Sequence, residues 1–297
     1  MIIRDSPSHL GLFLVTQGSI VPRIAPLIGL VFVFAFTIWL VDGTLFTLPH
    51  IPLQATSIFG IALSLFLGFR NNAAYERWWE ARRLWGQLVA DFRSFARESD
   101  LFVENAQTRE ALIHEALCFI HLHKRDLRGD DISADLARWG GPGTQFERAK
   151  ACDALNRAAR HIRDAARRGE IDGFGCKALS ERLAAIALAQ AGSERIRNTP
   201  LPFVYSLLVL RTTWLYCFAV PFALIETTGV LTPLFAAVIA YVFFGLAAVT
   251  DELEHPFGTA VHALPLNAMC RTIEIALAPR LGMTPPDPLV PEDHVLT

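Results

Sequence analysis

Imidazole, thiol and carboxylate side chains that could hold a metal gather at two places in the chain. His114, Cys118, His121 and His123 fall at spacings of four, three and two. On a helix the first three share a face, and imidazole nitrogen and thiolate sulfur are donors that zinc favours. A zinc or di-iron centre needs a fuller set, with carboxylates or histidines from a second helix, and the sequence does not identify them. Leu117, Phe119 and Ile120 among the candidates describe an amphipathic helix with incidental histidines. A membrane metalloenzyme built on this segment stands as the alternative function. The second cluster is Asp251, Glu252, Glu254 and His255. Three carboxylates so close together could coordinate a hard cation. Their order matches no cation-binding loop, however, and neutralisation of nearby arginines is the simpler reading. Phosphate-loop, dinucleotide, nucleophile-elbow and zinc-protease motifs are absent, so the chain is not expected to be an enzyme. Five scattered cysteines without a C-x-x-C spacing argue against a disulfide framework.

The elements that carry these residues are set by an uneven charge distribution. Charged residues make up 19% of the 297 and apolar ones 52%, against about 25% charged in a typical soluble domain. Between residues 70 and 200 lie 22 of the 27 Lys and Arg and 19 of the 29 Asp and Glu. The flanks are nearly charge-free. This predicts a membrane protein with a water-exposed domain, and the net charge of −2 offers nothing to a nucleic acid. Residues 24–41 and 43–69 form one pair of uncharged runs, separated near Pro49-His50-Ile51-Pro52; 201–225 and 227–250 form a second pair. Each covers most of a hydrocarbon core. Proline at the first break belongs in a turn, because lipid cannot replace the backbone donor it removes. Arg211 interrupts the third run, and its place near the span's end predicts a side chain that snorkels to the interface. Neither link between paired spans contains Lys or Arg, whereas Arg4, Arg23, Arg70, Arg77, Arg82 and Arg83 flank the spans on the other side. The positive-inside tendency then places both termini and the central domain in the cytoplasm. An early Asp5 and an apolar run only at 10–15 argue against a cleaved signal peptide.

The expected organisation is an N-terminal arm (1–23), two transmembrane helices (24–69), a cytoplasmic helical domain (70–200), two more transmembrane helices (201–250) and a C-terminal segment (251–297). In the central domain Trp78, Ala81, Trp85, Leu88, Phe92 and Phe95 form one apolar stripe that continues the second span. This predicts a single long helix whose stripe packs on neighbouring helices. Gly140-Gly141-Pro142-Gly143 predicts a loop, 145–168 and 177–197 predict helices joined by a glycine-containing turn at 169–175, and the proline-rich tail after Arg280 reads as extended or disordered. Within the second span Ile61, Leu65 and Phe69 stack four apart, flanked by small Gly60, Ala62, Ser64 and Gly68. On periodicity alone such a stripe means lipid or packing contact.

Three long segments give the chain a family resemblance: FLGFRNNAAYERWWEARRLWG at 66–86, ERIRNTPLPFVYSLLVLR at 194–211 and DELEHPFGTAVHALPLNAM at 251–269. In sequence and order they resemble bacterial members of the bestrophin family, over nearly the whole chain except 98–168 and the tail. The resemblance implies an all-α integral membrane channel, a homopentamer with five copies of the second span around a central pore. It implies no cofactor, and as partners only other copies of the chain, the bilayer of the cell membrane and permeant monovalent ions. It places the pore neck at Ile61, Leu65 and Phe69 and a cytoplasmic aperture at Phe174. Animal relatives follow their Pro-Phe-Gly with acidic residues that clasp calcium. Here Pro256-Phe257-Gly258 runs into Thr259-Ala260-Val261-His262, so calcium activation of that kind is not expected. The bacterial type of signature favours cation conduction, with chloride close behind. A secondary transporter is disfavoured by the lack of an internal repeat and of broken, charged spans.

Overall fold

In the computed structural model, described for residues 1–3, 15, 17–44, 47–140 and 149–297, the regular structure among the described residues is helical. Isolated bridges pair Ile2 with Val295 and Glu292 with Val295. The helices are α1 (Val21–Thr44), α2 (Leu53–Phe102), α3 (Ala106–Arg128), α4 (Ser133–Trp139), α5 (Ala151–Arg167), α6 (Gly173–Asn198), α7 (Phe203–Thr228), α8 (Thr232–Leu253) and α9 (Leu266–Leu277). The chain divides into two units. One comprises Asp5–Trp78 with Pro200–His255; the other comprises Met1–Arg4, Trp79–Thr199 and Pro256–Thr297.

The first unit holds the apolar helices. Among the described residues three helical runs are long and apolar enough to cross a membrane: Val21–Asp42, Leu53–Phe102 and Phe203–Leu253. The last, 51 residues long, is broken by a 3-10 turn at Gly229–Leu231 into α7 and α8, which fold back on each other. The chain therefore has four spans. Ile24, Val31 and Ala35 of α1, Leu63 and Leu67 of α2, Val209, Tyr216 and Val220 of α7 and Ala236, Ala240, Phe243 and Phe244 of α8 make its core. Small residues let the helices approach, as membrane packing requires. At Gly60 a Cβ would run into the Tyr216 ring and hydroxyl, and Phe59 meets the same ring edge-on at 5.6 Å. Pro49-His50-Ile51-Pro52 forms the break between α1 and α2, where the Ile51 amide donates to the Phe222 carbonyl over 3.1 Å.

α2 has 50 residues and no proline, and its residues divide between the two units at Trp78. In the second unit Ala81, Trp85, Leu88, Phe92 and Phe95 of this helix are all buried; Phe92 lies 5.4 Å from Phe119, and Trp85 stacks on His123 at 5.5 Å. The apolar stripe is packing, as its sequence pattern predicts. α3 starts on Asn105, whose side chain accepts from the Gln107 and Thr108 amides, and ends at Gly129 with φ +84°, a left-handed cap that favours glycine. Along α5, Ala151, Ala154, Ala158, Ile162 and Ala165 form a buried stripe that lies against α3. Two expected boundaries shift. α6 begins at Gly173, because the Asp172 carboxylate caps it by accepting from the Gly175 amide at 2.6 Å, so the turn before it is shorter than 169–175. The described part of the 145–168 segment becomes helical only at Ala151; residues 141–148, with most of the expected glycine loop, lie outside the described residues. The tail after Arg280 is extended and tied back, with the Ala268 amide donating to the Thr297 carbonyl at 2.8 Å.

Candidate pore-lining face

One face of α2 in the first unit is exposed although it is apolar. Ile61 is 62%, Leu65 56% and Phe69 71% exposed, and Ile58 one turn earlier is 70% exposed. Leu63, Leu67, Arg70 and Ala74 between them are buried. Contacts of the opposite face with α7 and the end of α8 fix the helix's rotation and turn all three predicted neck residues outward together. Phe174, in the first turn of α6 in the other unit, is 81% exposed.

Polar residues past Phe69 sort by the same rotation. Arg70 is buried, with its guanidinium 3.0 Å from Asp251, 3.3 Å from Glu254 and 3.0 Å from the Ser206 hydroxyl. Arg23 reaches the other Asp251 oxygen at 3.4 Å. Arg77 donates to the Glu254 carbonyl at 2.8 Å. Asp251 and Glu254 therefore act as counter-ions to arginines, as the charge argument for that cluster expects. Asn71, half-buried, faces the Thr250 hydroxyl at 3.5 Å. Asn72 and Glu76 are exposed, and the Asn72 amide donates to the Glu76 carboxylate at 3.0 Å. Arg211 stands exposed in the third turn of α7, on one face with Val204, Leu208 and Leu215.

The predicted metal ligands do not converge. His114 Nδ1 lies 2.8 Å from the Trp139 carbonyl, and the Cys118 thiol turns to the same oxygen at 3.8 Å. His121 instead meets carboxylates invisible in local sequence: Nδ1 lies 3.1 Å from Asp135 of α4, and Nε2 2.9 Å from Glu274 of α9. Those three residues could reach one ion. Lys124 lies 3.2 Å from Asp135 and Arg271 2.6 Å from Glu274, so cations already occupy both carboxylates. A carboxylate on each ring nitrogen is the arrangement of an imidazolium rather than of a metal-bound neutral ring. Burial pulls the His121 imidazolium down, but the two carboxylates more than reverse this and hold it above its ordinary value. Asp135 is driven down to about 2, burial opposing and His121 and Lys124 prevailing. His123, fully buried and stacked between Trp85 and Phe119, is held neutral by that burial, down to about 3. A second histidine bridge, in the first unit, links the α1–α2 break to the end of α7. His50 Nδ1 is 3.0 Å from Glu226 and Nε2 3.3 Å from Asp42; the Glu226 carboxylate first, then Asp42, raise the His50 value.

The family model for the bacterial and fungal bestrophins matches residues 1–279. The chain belongs to the bestrophin family. A voltage-dependent anion channel-forming protein of Mesorhizobium japonicum is 42% identical over 98% of this chain and 96% of its own length. A protein of the same description from Escherichia coli K12 is 34% identical over 93% of each chain. In structure, the bacterial bestrophin homolog from Klebsiella pneumoniae phased on zinc superposes with a TM-score of 0.80 at 31% identity, covering 90% of this chain and all of the other. The bestrophin fold and the four apolar helices make this a multi-pass membrane protein and an ion channel rather than an enzyme, and the metalloenzyme alternative falls with that assignment.

Proposed function

We propose that five copies of the chain surround a central axis through α2 and pass monovalent ions down their gradient, Ile61, Leu65 and Phe69 forming an apolar neck and Phe174 a second aperture. The observation that carries this reading is the exposure of the three neck side chains on a helix whose other face is buried. Apolar rings at a constriction block ions by excluding water, and they open when side chains turn or helices move apart. In this reading the protein sits in the cell membrane with both termini and the Trp79–Thr199 region in the cytoplasm, as the basic residues flanking the spans favour. Cation conduction is the primary reading. Anion conduction is the second, favoured by the description of the relatives from Mesorhizobium and Escherichia as anion channel-forming proteins. Calcium does not activate the channel, because the segment after Pro256-Phe257-Gly258 carries no carboxylate before Glu274.

The test is the current through purified protein in a planar bilayer under a potassium chloride gradient. A reversal potential near the potassium equilibrium value supports the primary reading, and one near the chloride value supports the second. Current that requires micromolar calcium would overturn the calcium independence. Absence of current from folded, inserted protein would remove the channel reading.

A further inference from the structure

We infer that Glu76, held by Asn72, is a charge-selectivity determinant of this channel, a ring of carboxylates set just past the apolar neck. The inference rests on the proposed five-fold arrangement of α2 and goes beyond it, since apolar rings carry no charge to choose between cation and anion.

At 100° per residue, Asn72 and Glu76 both point within about 20° of the mean direction of Ile61, Leu65 and Phe69, whereas Arg70 and Arg77 point about 140° and about 120° away. The contacts agree with that phase: Arg70 is buried on Asp251 and Glu254, Arg77 donates to the Glu254 carbonyl, and Glu76 is exposed. The sequence FRNNAAYER reads as two arginines balancing one glutamate, but the fold separates them. Both cations turn away from that face, Arg70 to the Asp251 and Glu254 carboxylates and Arg77 to the Glu254 carbonyl, and the glutamate is left on the neck-bearing face. The Asn72 amide, one turn closer to Phe69, donates to the carboxylate at 3.0 Å and orients it without neutralising it, because an amide carries no charge.

Position sets the magnitude. Glu76 is seven residues beyond Phe69, a rise of about 10 Å, close to the Debye length of about 8 Å at physiological ionic strength. Arg83, exposed and a further seven residues along the sequence, falls in the other unit, twice as many residues from Phe69 as Glu76 is, and salt screens more distant charges more strongly. A carboxylate ring at this position raises the local cation concentration at the neck's entrance and lowers that of anions.

Reversal potentials of the full-length protein under a potassium chloride gradient test the assignment. Glu76→Gln should move the potassium-to-chloride permeability ratio toward chloride by roughly 3- to 10-fold at 0.1 M salt, and by much less at 1 M salt, where the Debye length is about 3 Å. Asn72→Asp, which adds a second carboxylate to the same face, should move the ratio the other way. Arg83→Gln should shift it less than either. These directions hold whether the parent channel prefers cations or anions. Conducting Glu76→Gln and Asn72→Asp channels with unchanged reversal potentials would overturn the assignment while leaving the channel intact. A parent protein that inserts and carries no current would overturn the channel reading, and this one with it.

Discussion

At the scale of single residues, the most consequential contact outside the proposed pore-lining face is the bridge from Asp135 through His121 to Glu274. Its linkage to pH has a definite sign. The folded-state value of His121 is raised, so its contribution is full below about 6.5, the unfolded value, and is lost as pH rises through the folded value. Asp135, at about 2 when folded, and Glu274, which burial raises but His121 and Arg271 lower further, contribute above about 4 and lose that contribution as pH falls through their folded values. His123, held neutral by burial down to about 3, acts the other way: below about 6.5 the unfolded chain takes up a proton that the folded one refuses, so stability falls as pH falls there. The unit containing Trp79–Thr199 should therefore be most resistant to heat or denaturant near pH 6.5. A melting profile that rises steadily from pH 6.5 to 8.5 would contradict this. His121→Leu leaves Glu274 with Arg271 and the Trp139 indole, which donates to it at 3.1 Å, and should cost about 1–3 kcal/mol, flattening the profile's alkaline limb. Sequence reached this site halfway. The spacing of His114, Cys118 and His121 flagged the helix, but Asp135 and Glu274 come from two other helices, one of them far along the chain, and no local pattern joins them. Glu76 was out of reach for a different reason. Its identity is plain in FRNNAAYER, yet its direction depends on which α2 face the bundle buries.

At the scale of elements, the spans and the long helix were legible because long uncharged runs and an aromatic 3-4 repeat are one-dimensional signals. α9 was not, since twelve residues of Leu266–Leu277 are too few to stand out beside the loop that precedes them. How closely elements approach was legible only as a cluster of small residues, and the fold distinguishes them. Gly60→Ala forces a Cβ into the Tyr216 ring and should cost about 1–3 kcal/mol of stability. Gly68→Ala meets nothing within 4 Å and should stabilise α2 by about 0.5–1 kcal/mol. Thermal melting of the two variants in detergent, side by side, checks the pair; equal shifts would mean that α2 does not rest on α7 through Gly60. Arg70 ties α2 to the end of α8 through Asp251 and Glu254. Arg70→Met should cost about 3–5 kcal/mol by leaving Glu254 buried without its cation, and Glu254→Gln in the same chain should recover part of that loss. No recovery in the double variant would place the interaction elsewhere.

At the scale of the whole molecule, the exposed apolar face of α2 is reconciled with water and lipid by assembly. The homopentamer predicts a detergent-corrected mass five times the 32.9 kDa of the chain, measurable by light scattering; a monomer that still conducts would refute the shared axis. In that assembly Leu65→Ser should raise conductance by wetting the neck, while a change confined to the edges of the span should not; single-channel recording separates them. One further property follows from the composition of α2. Gly60, Ser64 and Gly68 alternate with Ile61, Leu65 and Phe69, and the Ser64 hydroxyl bonds back to the Ile61 carbonyl at 2.8 Å, while the rest of the helix has a single other glycine, Gly86. Glycine and serine are where helices bend. Within the first unit α2 is thus most compliant in the turns of the proposed neck, so the proposed width and stiffness reside in neighbouring residues and can be altered one at a time. Gly68→Ala would leave the diameter unchanged and act as a splint, prolonging whichever state, shut or conducting, holds α2 straight.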